Sequence, residues 1–385
     1  MGNSMEARLQ ELVAANVEEN RARWAKQWKE NGGKVAATLC TYVPPELLHA
    51  AGFLPWRVSG TWAESTPLAL LYRPSWSSPR NMRILESVLQ GEMDFVDAVI
   101  GSDWDIDLKR TWDEWHALRK PKLSHIIFIP RFVSDIHYRK FRWSLEKLVS
   151  AIENEFGARI SESALEQSVR VYEEMRRLVR EMYELRKRDA PAVSGAEALG
   201  ITTAAQVMPP EEFNKELAAL LPYLRTRKAP LERQRPRLLV SSDFLDDIRY
   251  LDLVEQVGSV VAMDDLDTGS RQFWTRIGEL GKDPLLTIAK AYLDRPGCPR
   301  MGDWESQVDQ VVSWVKEYRI DGVLELRLNY SMIRHFRTPV FKSALEGAGV
   351  SFLSLPREHQ FSNESQLRTR IGAFIELIEA SPARA

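Results

Sequence analysis

The chain has 385 residues, 44% of them apolar and 28% charged, with a formal net charge of −2. That length suits two or three domains with a large core, and the proportions are ordinary for a globular protein. The near-neutral balance argues against a nucleic-acid partner, which favours a basic surface, and no apolar run approaches the roughly 18 residues that span a bilayer.

Residues 4–31 read as one polar helix, with Leu9, Leu12, Val13, Val17 and Trp24 at helical spacing. The N-terminus shows no basic segment followed by an apolar one, and there are two cysteines, Cys40 and Cys298. Both features fit a reducing cytoplasm and no membrane anchor. From Ala36 the chain runs Ala36-Ala37-Thr38-Leu39-Cys40 and then Val43-Pro44-Pro45-Glu46-Leu47-Leu48, a strand that ends at a cysteine and opens a helix. Ala98-Val99-Ile100 and His125-Ile126-Ile127-Phe128-Ile129 are the next strands. Neither alternates, as expected for strands covered on both faces. Trp56, Trp62, Trp76, Trp104, Trp112 and Trp115 cluster in this first third. They suit either a core or an interface.

Residues 141–230 hold no convincing strand. Leu165, Val169, Tyr172, Met175, Val179, Met182 and Leu185 recur at three- and four-residue steps, with charges between them, so the segment is an amphipathic helix. Beyond Pro236, Leu238-Leu239-Val240, Val260-Val261-Ala262-Met263, Gly322-Val323-Leu324-Glu325-Leu326 and Val350-Ser351-Phe352-Leu353-Ser354-Leu355 read as four strands with helices between. Strands alternating with helices imply βαβ units and parallel sheets. The fold class is therefore α/β, and the two α/β parts have the look of duplicates.

Open parallel sheets bind ligands at the carboxyl ends of their strands, so those ends carry the candidates. Cys40 sits at the first. Ser102-Asp103-Trp104-Asp105-Ile106-Asp107 follows the second; its acids suit a cation, a substrate, or the cap and first turn of a helix. Asp264-Asp265-Leu266-Asp267-Thr268-Gly269-Ser270-Arg271 is an acidic turn that either binds a ribose or positions Arg271 for a phosphate or carboxylate. No Gly-x-Gly-x-x-Gly loop follows a strand, which weakens the dinucleotide reading. His335, four residues along a helix, reads as structural, and Cys298, in Pro296-Gly297-Cys298-Pro299-Arg300, as a packed thiol. No spacing fits a zinc site.

Several of these segments together resemble the D-subunit family of 2-hydroxyacyl-CoA dehydratases, which includes benzoyl-CoA reductase subunits. The resemblance lies in Leu39 through Pro55, with its Cys-containing strand, Val-Pro-x-Glu turn and Ala-Ala-Gly ending, and in the helix from Ile160 to Arg186. It continues in the Asp264–Arg271 turn, in Tyr318-Arg319-Ile320-Asp321-Gly322-Val323, and in the closing helix Gln366–Glu376. It implies two Rossmann-like parallel-sheet domains joined by a helical segment: an N-terminal helix at 1–33, a first domain at 34–140, a helical linker at 141–235 and a second domain at 236–385.

The resemblance also implies a heterodimer of homologous subunits and a [4Fe-4S] cluster held on three cysteines. An ATP-dependent iron–sulfur activator protein supplies a low-potential electron. The implied chemistry is radical dehydration of a 2-hydroxyacyl-CoA or reduction of an aromatic acyl-CoA. The first family cysteine matches Cys40. The second falls within Ser102 to Asp105 and the third near Ser331, where this chain has none. Two readings follow: the homologous partner carries the cluster while this chain helps form the acyl-CoA pocket, or the chain is a cluster-less scaffold with no redox role. Cys40 is a metal ligand only if carboxylate, hydroxyl or partner-chain ligands replace the missing thiolates, with Asp103 and Ser331 near their positions. The strand tips then give Thr41, Tyr42, Ser102, Asp103, Ser242, Asn329, Tyr330, Ser331, Arg357 and Glu358 as substrate-binding candidates, because a thioester carbonyl needs hydrogen-bond donors there.

Overall fold

A computed structural model describes residues 2–15, 18–60, 63–157, 159–231, 235–295 and 297–380. Eight strands form two four-stranded sheets, and every pairing is parallel. The first sheet holds β1 (Lys34–Thr38), β2 (Phe53–Arg57), β3 (Ala98–Ser102) and β4 (Leu123–Ile127), in the order β2-β1-β3-β4. The second holds β5 (Arg237–Ser241), β6 (Val260–Asp265), β7 (Gly322–Leu328) and β8 (Ser351–Arg357), in the order β6-β5-β7-β8. The two orders are the same, 2-1-3-4 in each half, so the halves are topological duplicates. In each, the order reverses beside the first strand, which opens a crevice at its carboxyl end.

Six helices lie before the strandless middle in the chain: α1 (Gly2–Ala14), α2 (Glu18–Glu30), α3 (Pro45–Ala50), α4 (Pro79–Gln90), α5 (Ile106–Arg119) and α6 (Asp135–Phe156). Next come α7 (Glu162–Glu184), α8 (Gly195–Ala204) and α9 (Pro210–Thr226), the strandless middle. Among the strands of the second half come α10 (Arg249–Gln256), α11 (Ser270–Phe273), α12 (Pro284–Leu293), α13 (Glu305–Glu317), α14 (Met332–Gly347) and α15 (Glu364–Glu379). The amphipathic stripe of α7 is buried along its length, from Leu165 to Met182.

Three expectations need correction. The helix expected over 4–31 is two helices; its Val17 lies outside the described residues. Asn20 Nδ2 donates to the Ala14 carbonyl at 3.0 Å, an acceptor that a continuous helix would give to the backbone four residues on. The two helices also bury different faces. Leu9, Leu12 and Val13 join the core around α7–α9, whereas Ala25 joins Val35 and Trp56 on the first sheet. Second, β2 was not anticipated, because Pro55 lies within it. Its place at the sheet edge explains the tolerance, since an edge strand needs no donor on its outer side. Third, β4 starts two residues earlier than expected, and as an edge strand it is only half-buried over Leu123–Ile126, while β3 is buried throughout.

Trp56, Trp104 and Trp115 fill cores, and Trp76 is exposed. Trp62 lies outside the described residues. No helix among the described residues is long and apolar enough to cross a membrane.

The chain also crosses between the halves. Residues 277–301 pack on the first half: Ile277, Ile288, Tyr292 and Met301 share a core with Tyr42, Phe53 and Ile100. This return carries Arg295, Cys298 and Arg300 to the carboxyl ends of β1 and β3.

Candidate functional site

The carboxyl ends of β1 and β3 meet residues 295–300 at close range. Arg295 Nη2 donates to Thr41 Oγ1 at 2.8 Å, and its guanidinium lies 3.8 Å from the Tyr42 ring centroid. Tyr42 is buried against Trp104, with centroids 4.5 Å apart, and its hydroxyl accepts from the Cys298 amide at 3.4 Å. Burial pushes the Tyr42 phenol up to about 12, against the opposing pull of Arg295. Burial also raises the half-buried Cys298 thiol, which Arg300 and Arg271 partly offset. Cys298 is thus a packed thiol, set among arginines at the seam.

The acids after β3 are occupied by the protein itself. Asp103 Oδ1 accepts from the Ile129 amide at 3.0 Å, and burial raises its carboxyl. Asp105 caps α5 by accepting from the Asp107 and Leu108 amides, and it pairs with Arg300. Asp107 takes Arg73, the Ser78 amide and Asn81. The cap reading therefore holds for Asp105. The acidic turn after β6 is consumed likewise. Asp264 accepts from the Ser270 amide at 2.8 Å, and Asp265 from Ser241 at 2.6 Å and Gln307 at 2.9 Å. Arg271 pairs with Asp265 at 3.2 Å and donates to the Ser242 carbonyl. Neither the ribose role nor a free Arg271 survives these contacts.

The second-half candidates form two pairs. Arg357 donates to Ser242 Oγ at 3.2 Å and to the Phe244 carbonyl at 2.5 Å. Asn329 Nδ2 donates to Glu358 Oε1 at 2.7 Å. Thr41 and Tyr42 face residues 295–298 instead, and Asp103 is held at Ile129. Three candidates keep free chemistry. The Oγ atoms of Ser102 and Ser331 are buried with no hydrogen-bond partner among the described residues. Tyr330 is 58% exposed at the tip of β7, with φ +62°. That left-handed backbone costs a non-glycine residue about 1–2 kcal/mol, so the tip is held in place by its surroundings.

Further residues complete the seam between the halves. Arg57 pairs with Asp267 at 2.8 Å, and the Arg80 guanidinium lies 3.8 Å from the Phe244 ring centroid. Burial, helped by the neighbouring Arg57 guanidinium, lowers Arg80 to about 9. Burial would raise the Asp267 carboxyl, but Arg57, Arg271 and Arg80 hold it below the ordinary range. His359 is buried, and both its ring nitrogens lack partners among the described residues; burial and then Arg357 keep it neutral. Sequence reasoning missed Arg57, Arg80, Arg295, Arg300 and His359, because each gains meaning only from a partner far along the chain.

Cys40 is half-buried and lines a cavity of about 40 Å³ with Thr38, Arg57, Arg176, Gln206 and Gln272. Cys40 is the only thiol among the lining residues. No group of three or more His, Cys, Asp or Glu among the described residues is placed to hold a metal ion. At the strand ends after β3 and β7 stand hydroxyls, Ser102 and Ser331, where a cluster would need soft thiolates. The donor set of this chain does not fit a [4Fe-4S] cluster.

Fold and site define a two-lobed α/β protein with duplicated parallel sheets, whose strand ends converge on an arginine-rich seam carrying two thiols, Cys40 and Cys298. The chain belongs to the 2-hydroxyglutaryl-CoA dehydratase D-component family, which it matches over residues 40–378. It is 24% identical over 370 residues to the (R)-phenyllactyl-CoA dehydratase beta subunit of Clostridium sporogenes, covering 94% of this chain and 96% of that one. It is 27% identical over 367 residues to a benzoyl-CoA reductase subunit of Thauera aromatica, covering 92% and 94%. The lactoyl-CoA dehydratase beta subunit of Anaerotignum propionicum matches at 24% over 368 residues, covering 94% and 97%.

Proposed function

We propose that this chain is a subunit of a cytoplasmic acyl-CoA-processing complex of the 2-hydroxyacyl-CoA dehydratase or benzoyl-CoA reductase type. Its homologous partner carries the [4Fe-4S] cluster and receives the electron from an ATP-dependent activator. This chain contributes the subunit interface and part of the acyl-CoA pocket. The observation that carries the reading is a match over nearly the full length to dehydratase and reductase subunits, combined with strand ends that carry one thiol, Cys40, beside the packed Cys298 of the returning segment. Dehydratase and reductase relatives match equally well along the chain, which favours a working subunit over a scaffold of unrelated role. The exposed ring of Tyr330 is the candidate group open to a ligand, and the hydroxyls of Ser102 and Ser331 are buried without a partner among the described residues. A carbonyl that gains charge on oxygen needs such donors.

The test is anaerobic co-expression with a homologous subunit that has all three family cysteines. Iron and sulfide are measured on each chain, followed by calorimetry with benzoyl-CoA, a 2-hydroxyacyl-CoA and free CoA. The reading expects iron with the partner, little with this chain, and acyl-CoA binding by the pair. Close to four irons on this chain alone, lost on Cys40→Ala, overturns the division of labour. A pair that ignores all three ligands overturns the pocket.

A further inference from the structure

Cys40 stands where the first family cysteine is expected, yet the groups around it do not form a cluster site. It faces a partly open cavity of about 40 Å³ instead. The polar lining of that cavity is Thr38, Cys40, Arg57, Arg176, Gln206 and Gln272, drawn from β1, β2, α7, α11 and the end of α8. Arg176 is committed to Glu46 and Glu173, and Thr38 Oγ1 donates to the Trp56 carbonyl at 3.4 Å.

Three of the other groups have polar atoms left over. Arg57 is 5% exposed and gives Nη2 to Asp267 at 2.8 Å, while its Nε–H is buried with no acceptor among the described residues. Gln206 Nε2 donates to the carbonyls of Thr202 at 2.9 Å and Thr268 at 2.7 Å. That fixes the amide and leaves its Oε1 buried without a donor among the described residues. Gln272 Oε1 is left in the same state. Buried polar atoms are normally partnered, by a small molecule where the protein supplies nothing. One donor and two acceptors around one void call for an occupant that both accepts and donates.

Size and charge narrow the choice. A water needs about 10–15 Å³, so the void takes roughly three waters, or a ligand of two to four heavy atoms. A CoA thioester or a tripeptide disulfide is far too large. Both guanidiniums in the lining are already balanced by carboxylates, so the occupant is neutral. Hydrogen peroxide meets these demands, and it meets them beside a thiol.

We propose that this cavity admits hydrogen peroxide and that Cys40 is a peroxide-modified thiol. Cys40 Sγ attacks one peroxide oxygen and the O–O bond breaks. The sulfur is oxidised by two electrons to a sulfenic acid, and the departing oxygen takes the thiol proton and leaves as water. Arg57 Nε–H donates to the departing oxygen as charge develops on it, and Gln272 Oε1 accepts from the peroxide and holds it in place. Cys298 serves as an internal control, because it does not line the cavity and burial raises its thiol. Every group in the proposal belongs to this chain, so it stands apart from the two-subunit reading.

The test uses the full-length chain, reduced and desalted under nitrogen. It is exposed to hydrogen peroxide, stopped at intervals in denaturant with dimedone, digested and read by mass at both cysteines. Cys40 should form the sulfenic adduct at least about 10-fold faster than Cys298. With glutathione disulfide, too large for the cavity, that advantage should disappear. Arg57→Lys should slow Cys40 by about 10-fold, the effect of losing one hydrogen bond from a charged group. Gln272→Met should slow it by about threefold, the effect of a neutral one. Gln272 Oε1 has no other partner among the described residues to lose, so that variant reports on the cavity even if Arg57→Lys unfolds the chain. Oxidation of Cys298 as fast as Cys40 overturns the proposal. So does a Cys40 rate that Gln272→Met leaves unchanged. A Cys40 that stays reduced shows a cavity that holds water only, and overturns it equally.

Discussion

The Arg295 guanidinium lies 3.8 Å from the centroid of the Tyr42 ring and donates to Thr41 Oγ1 at 2.8 Å. One arginine thus fastens the returning segment from the second half onto the turn that follows β1. A desolvated cation–π contact is worth about 2 kcal/mol, and a hydrogen bond from a charged group about 1.5–3 kcal/mol. Arg295→Ala should therefore lower stability by about 2–4 kcal/mol, read as a shifted denaturant midpoint. Arg295→Lys should recover less than half of it, because an ammonium cannot both stack and reach Thr41. A loss below about 1 kcal/mol would show that the return is held elsewhere.

Glu46 and Arg176 form a buried ion pair, with Tyr292 donating to Glu46 at 2.8 Å. Breaking a buried pair from one side costs about 3–5 kcal/mol, because the other charge is left uncompensated. Arg176→Met should cost that much. The double variant Arg176→Met with Glu46→Gln should recover a large part of it in a denaturation cycle. Additive losses would mean that the two groups act independently.

Burial pushes the Glu255 carboxyl up to about 7, although it accepts from the Gly195 amide at 2.8 Å and the Val261 amide at 3.2 Å. In the unfolded chain the same group titrates near about 4.3. Between these values the folded state binds the extra proton, so its contribution to stability is full at low pH and is lost as pH rises through about 7. The span is at most on the order of 4 kcal/mol. Glu255→Gln, which keeps the acceptor and removes the titration, should flatten the decline in stability between about pH 4 and pH 7. An unchanged pH profile would rule out Glu255 as its source.

Tyr330 holds φ +62° with 58% of its surface exposed. Tyr330→Gly should stabilise the chain by up to about 1 kcal/mol, since glycine adopts that backbone without strain. It should also reduce discrimination between benzoyl-CoA and free CoA in the assembled pair. Calorimetry and thermal unfolding of one variant read both effects. A stabilised variant with undiminished discrimination would remove Tyr330 from the pocket.

Much of the architecture is legible along the chain. Leu238-Leu239-Val240 and Val260-Val261-Ala262-Met263 are short apolar runs bounded by breakers, and the three- and four-residue spacing from Leu165 to Met182 marks α7. These signals are local, because burial on a strand or along one helical face leaves a period in the sequence. Pro55 hid β2, since a proline is excluded from a strand by local rules and admitted only by a sheet edge, which no local window reveals.

Residue order alone was enough to establish the alternation of strands and helices, the shortage of thiolates, and which residues stand at the strand tips. What those residues do was settled by folding. Arg295 finds Thr41 across 254 positions and Arg300 finds Asp105 across 195, so Asp105 became a cap and an ion-pair partner. The hydroxyls of Ser102 and Ser331 were left buried without a partner among the described residues. A charge or hydroxyl is committed by whichever group lies within hydrogen-bond reach, and that distance exists only once the chain has folded back on itself.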